Sequence, residues 1–181
     1  MPRNKGLALG KKRPKQQHKT PTKSTGRPKK NPHPMALAKD KKRKGATVKK
    51  VYKIVNKVTG KVGGNGNGGP IYGELTIGNM QKVAHYLIKH TSLSKHSRFI
   101  DIGCGLGKPN LHVAQDPGVG FSFGIEVEKL RTNLGLFNLY HVLQTAKNDA
   151  NIGHACLLQH GDITKAKSLD PFTHVYQFDV G

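Results

Sequence analysis

Tryptophan is absent from this chain of 181 residues, and cysteine and acidic side chains are scarce. The two cysteines, Cys104 and Cys156, show no metal-ligand spacing such as C-x-x-C, and a reducing compartment is the simplest setting for them. No apolar run approaches the roughly 18–20 residues that a membrane span requires. The basic N-terminus has no apolar stretch of the secretory kind, so neither membrane nor secretion is expected. Acid is missing above all from the first third. Residues 1–61 carry 21 Lys and Arg against Asp40 alone, while residues 62–181 carry 10 basic and 9 acidic side chains. The first part is therefore +20 and the rest +1, a near-neutral globular part joined to a polycationic arm.

From residue 1 to about 46 the chain is Lys, Arg, Pro, Gln, Asn and Thr with few large apolar groups. Such a segment buries too little surface to offset its ordering entropy, and a disordered basic arm is expected over 1–46. Its partners would be polyanions, bound with steep salt dependence. Lys11-Lys-Arg-Pro-Lys15 and Lys41-Lys-Arg-Lys44 have the character of nuclear-localisation clusters. Thr25-Gly-Arg-Pro-Lys-Lys30 resembles the Gly-Arg-Pro core of AT-hooks. That resemblance casts Arg27, Lys29 and Lys30 as DNA contacts in a narrow minor groove, with Thr25 where an arginine is usual.

Residues 47–69 are expected to form a short basic segment, with Val48 to Val58 as a strand or edge clamp, followed by a glycine-rich linker. A domain over 70–181 would follow. Met80, Val83, Ala84, Leu87 and Ile88 mark one apolar helix face, with Thr76 as its N-cap. Phe99-Ile-Asp-Ile102 is a buried strand that breaks into a glycine loop. Pro109 then opens a short helix. Phe121 to Glu126 forms a second strand. Lys129 to about Thr145 is a crossover helix with Leu130, Leu134, Phe137, Tyr140 and Leu143 as its stripe, weakened at Gly135 by roughly 1 kcal/mol against alanine. Third and fourth strands are expected at 155–158 and 173–179.

The loop narrows the chemistry. A nicotinamide fingerprint needs a third glycine where Lys108 stands, and a P-loop needs Ser or Thr where Pro109 stands. Asp101, Gly103, Gly105 and Gly107 instead resemble the D-x-G-x-G-x-G motif with which class I methyltransferases hold S-adenosylmethionine. Glycines let the backbone pass close to the ligand, and Asp101 would accept from the methionine ammonium. The N-terminal amides of the next helix would face the methionine carboxylate. Glu126, ending the second strand, would accept both ribose hydroxyls. Eight histidines between residues 85 and 174 form no metal or nucleophile pattern, and no metal is expected.

Tyr72-Gly-Glu74, the glycine motif and Phe123-Gly-Ile-Glu126 occur in one order over residues 70–179. In this they resemble the disruptor-of-telomeric-silencing (Dot-one-like) histone-lysine methyltransferases. The resemblance implies an α/β fold with the Rossmann-like parallel sheet of class I methyltransferases, and S-adenosylmethionine as cofactor. It implies a nuclear enzyme that methylates a lysine of nucleosomal histone, with DNA held by the arm. It casts Tyr72 and Glu74 as a loop over the cofactor, Asp162 as partner of the adenine amino group, and Ile163 as an apolar neighbour of the ring. The family's Asn-Asn-Phe run is missing. Asp179 takes the first asparagine's approximate place and is the candidate catalytic residue. That departure keeps RNA, another protein, or a catalytically incomplete chromatin-binding module open as alternatives. With only four strands legible, the sheet is expected to be truncated after the fourth.

Overall fold

A computed structural model describes residues 34–60 and 73–178. Helix α1 (Pro34–Val58) is followed by α2 (Ile77–Thr91), β1 (Arg98–Ile102), α3 (Lys108–Val113), β2 (Phe121–Glu126), α4 (Lys129–Ala146), β3 (Cys156–His160) and β4 (His174–Gln177). The four strands are parallel in the order β3-β2-β1-β4. That is a Rossmann-like order, which reverses between β1 and β4.

Helix α1 corrects the expected organisation. Residues 34–46 are helical rather than part of a disordered arm, and Val48 to Val58 is helix rather than strand. The physical reason lies in the spacing. Val48, Val51, Tyr52 and Val55 are buried at i, i+3, i+4 and i+7, while Lys49, Lys50, Lys53 and Lys57 stand outside. The helix belongs to the folded domain, which therefore starts well before residue 70. Val51 and Val55 share a core cluster with Leu111 of α3 and with Leu139 and Val142 of α4. Thr59, just past the helix, donates to buried Asn138 Oδ1 at 3.1 Å, and Asn138 Nδ2 donates to Leu106 O at 3.2 Å. Thus α1 and α4 are tied to the glycine loop by one polar chain.

Helix α2 forms as its pattern predicts. Thr76 caps it by accepting from Asn79 N at 3.2 Å, and Met80 and Ala84 are fully buried. Helix α4 spans the expected residues but turns the other way. Leu130, Phe137 and Tyr140 are each at least half exposed, whereas Thr132, Gly135, Asn138, Leu139 and Val142 face inward. Gly135 decides this. A Cβ there would stand 3.1 Å from Gly105 O and 3.2 Å from Leu158 Cδ1, so the bare backbone is what seats the helix on the loop.

Phe99, Asp101, Ser122, Gly124, Glu126, Leu158 and Tyr176 share the sheet face that packs against the helices. On the other face, Phe121 and Phe123 stack with Phe172 of the β3–β4 connection, at centroid distances of 6.4 and 5.5 Å.

Candidate active site at the strand ends

A cavity of about 250 Å³ opens at the C-terminal ends of β1, β2 and β4. Open α/β sheets bind ligands at this place, beside the reversal in strand order. Asp101, Gly103 and Cys104 line it from β1 and its loop, Glu126 and Val127 from β2, and Tyr176 and Phe178 from β4. Gly73, Glu74, Leu75 and Met80 close one side, Lys108 and Pro109 another, and Tyr52 reaches in from α1.

The loop's shape follows from its glycines. Gly103, Gly105 and Gly107 have φ of 75°, 53° and 77°, a region that other residues rarely adopt. No atom within 4 Å would meet a Cβ at Gly103, so a ligand can lie against the backbone there. A Cβ at Gly107 would press on Leu158 Cδ1 at 2.6 Å. The loop is anchored to β2: Gly103 N and Cys104 N both donate to Ile125 O, at 2.9 and 3.1 Å.

Two carboxylates flank this loop in opposite states. Glu126 Oε2 accepts from Gly105 N at 2.8 Å, and Oε1 accepts from Glu128 N at 2.9 Å. Each oxygen can accept a further hydrogen bond, and Glu126 lines the cavity. Asp101 is only 1% exposed, yet its Oδ2 has no hydrogen-bond partner. Burial first, and the charge of Glu126 second, push its carboxyl up to about 8. The site therefore fits a cationic group beside Asp101: a buried acceptor is left unmet, and a cation would return it to the ionised form.

Glu74 and Lys108 form an ion pair that pins residues 73–76 to the start of α3. Lys108 and Arg131 are the basic residues among those lining the cavity. The wall is stiffened by a buried chain in which Tyr52 Oη lies 3.3 Å from His112 Nδ1, and His112 Nε2 lies 3.1 Å from Gln81 Oε1. Gln81 Oε1 can only accept, which puts a proton on His112 Nε2, and Tyr52 Oη donates to Nδ1 when the ring is neutral. Burial lowers its pKa to about 4, against an opposing influence from Asp116.

Glu74, Asp101, Gly103 and Glu126 thus come together at one cavity, and Gly105 joins through Glu126. Asp162 and Ile163 are not among the cavity's lining residues. Asp162 instead caps a 3-10 turn, Ile163–Lys165, its Oδ1 accepting from Thr164 N at 2.9 Å and from Thr164 Oγ1 at 2.6 Å. Gly161, just before it, donates to Glu126 O at 2.9 Å, so the turn starts at the same end of the sheet. Tyr72, Asp179, Arg27, Lys29 and Lys30 lie outside the described residues. Tyr52, Lys108, Arg131 and Tyr176 are additions that sequence reading did not assign to the site. A helical reading of 48–58 would have placed Tyr52 on the inner face.

A family model described as "Histone methylation protein DOT1" matches residues 66–147, which hold the glycine motif and Glu126. The chain resembles the DOT1 family. No curated protein matches it significantly. Among solved structures, a SAM-dependent methyltransferase from Geobacter sulfurreducens, in complex with S-adenosyl-L-homocysteine, matches with TM-score 0.46 and 17% identity over 72% of this chain. Magnesium protoporphyrin IX methyltransferase from Synechocystis, with bound SAH, matches with TM-score 0.41 and 15% identity over 81% of this chain and 58% of its own length. The YcgJ protein from Bacillus subtilis matches with TM-score 0.39 and 18% identity over 54% of this chain. The chain spans 37% and 43% of the YcgJ and Geobacter chains.

Proposed function

We propose that the chain is an S-adenosylmethionine-dependent protein methyltransferase whose acceptor is a lysine of nucleosomal histone. The observation that carries the donor half is the unmet, buried Asp101 Oδ2 beside the open backbone of Gly103. The acceptor half is supported by the match to a family described by histone methylation and by a first third with a charge of +20.

The donor, when bound, supplies a sulfonium-activated methyl group. The protein's own residues then have to hold, orient and exclude water. Asp101 would accept from the ammonium end of the donor, and Glu126 would offer its remaining lone pairs to ribose hydroxyls. Glu74, tied to Lys108, would close the cavity mouth, and the resemblance would make Tyr72 a further cofactor contact. Asp162 and Ile163 would reach the adenine only if the 3-10 turn lies against it in the loaded protein. The resemblance would make Asp179 the residue that serves the acceptor. Arg27, Lys29 and Lys30 would hold DNA, which fits a nuclear protein acting on chromatin.

The test is transfer of a tritiated methyl group from S-adenosylmethionine to nucleosomes, free histones and RNA. Label on histone that is lost in Asp101→Asn supports the reading. Label on RNA alone moves the acceptor. Donor binding with no label on any acceptor reduces the chain to a non-catalytic module.

A further inference from the structure

Tyr176 of β4 stands beside Asp101 of β1 in the sheet register, on the two strands between which the order reverses. Its ring stacks on Phe99 at a centroid distance of 5.9 Å and lines the cavity. The hydroxyl at the end of that ring is buried and has no hydrogen-bond partner. Phenylalanine would fill the same space without the penalty of a buried unmet polar group. Asp101 Oδ2, on the neighbouring residue, is unmet in the same way.

Two unmet polar atoms on register-matched residues at one cavity call for a ligand group that serves both. One is a carboxylate oxygen and the other a neutral hydroxyl with free lone pairs. A primary ammonium carries three donors and one positive charge, and so can satisfy the two together. Burial, and then the nearby Asp101, raise the phenol to about 12, which keeps it neutral across the working range.

We propose that Tyr176 is a positioning residue that shares with Asp101 the ammonium of an amino-acid-bearing nucleoside, a contact completed only in the loaded site. The inference rests on the cofactor reading above and adds a residue to it. The hydroxyl then works in binding and is a liability to the empty fold.

Calorimetry separates these roles. S-adenosylhomocysteine and 5′-methylthioadenosine, which lacks the amino-acid end, are titrated into wild type, Tyr176→Phe, Asp101→Asn and the double variant. Tyr176→Phe is expected to weaken S-adenosylhomocysteine about fivefold to tenfold. It should leave methylthioadenosine within about twofold and hold or raise the melting temperature of the ligand-free protein. Against Asp101→Asn the same change should cost far less, because the ammonium is already lost. Equal weakening of both ligands, no weakening of S-adenosylhomocysteine, or a fall in melting temperature would overturn the role given to Tyr176. Wild type that binds neither nucleoside would instead overturn the cofactor reading, and this inference with it.

Discussion

Asp101 and Glu126 end neighbouring parallel strands, and at 1% and 3% exposure they are equally buried. Glu126 spends its two oxygens on the amides of Gly105 and Glu128, so it shapes the loop before any ligand arrives. Asp101 leaves Oδ2 unmet and is held protonated near neutrality by burial and by Glu126. One carboxylate therefore stabilises the fold before any ligand is bound, while the other, under the proposed function, would favour binding at the expense of the empty fold.

Substitution can break that contrast. Glu126→Ala should give the largest effect, about 3 kcal/mol lost in urea unfolding, because two charge-assisted hydrogen bonds disappear and two amides are stranded. Gly124 faces Asp101 across the register, and a Cβ there would meet Leu158 Cδ2, Cys104 Sγ and Asn110 Oδ1 at 2.6, 2.7 and 2.8 Å. Gly124→Ala should cost about 2 kcal/mol by overpacking and should disturb the loop through Cys104. Asp101→Asn should run the other way, leaving ligand-free stability at pH 8 unchanged or about 1 kcal/mol higher. A loss as large as that of Glu126→Ala would mean that the two carboxylates do the same work.

The pH dependence sharpens the contrast further. A carboxyl raised from its ordinary value to about 8 contributes stability that is fully present below about pH 4 and is lost as pH rises through 8. Asp101→Asn should remove that decline. His112 has the opposite sign. Its pKa is lowered to about 4, so its contribution is present above about pH 6.5 and is lost on acidification toward 4. Unfolding measured from pH 4 to 9 in wild type and Asp101→Asn separates the two slopes, the acid limb surviving the substitution.

The strands, α2 with its Thr76 cap and the glycine loop were legible in the sequence because local chemistry decides them. A short apolar run, a capping hydroxyl and closely spaced glycines need no distant partner to be recognised. Helix α1 was misread because Val48, Val51, Tyr52 and Val55 sit among lysines whose charge dominates the composition. Their burial depends on α3 and α4, far along the chain. The face of α4 was misread because its inward positions are Thr132, Gly135 and Asn138, where a close backbone approach and hydrogen bonds outweigh apolar area. Asp101 and Glu126 were found as a pair of strand-end acids. Their different states follow from which backbone amides happen to fold within reach, and spacing along a sequence does not carry that.

The central claim is that Asp101 is kept unpaired for the cationic end of a methyl donor. Calorimetric titration of S-adenosylhomocysteine at pH 7, in buffers of differing ionisation enthalpy, tests it most directly. Binding should release close to one proton in wild type as Asp101 ionises against the ammonium, and should be weak and without that release in Asp101→Asn. Binding of equal strength in both proteins with no proton released, or no binding by wild type, would contradict the account.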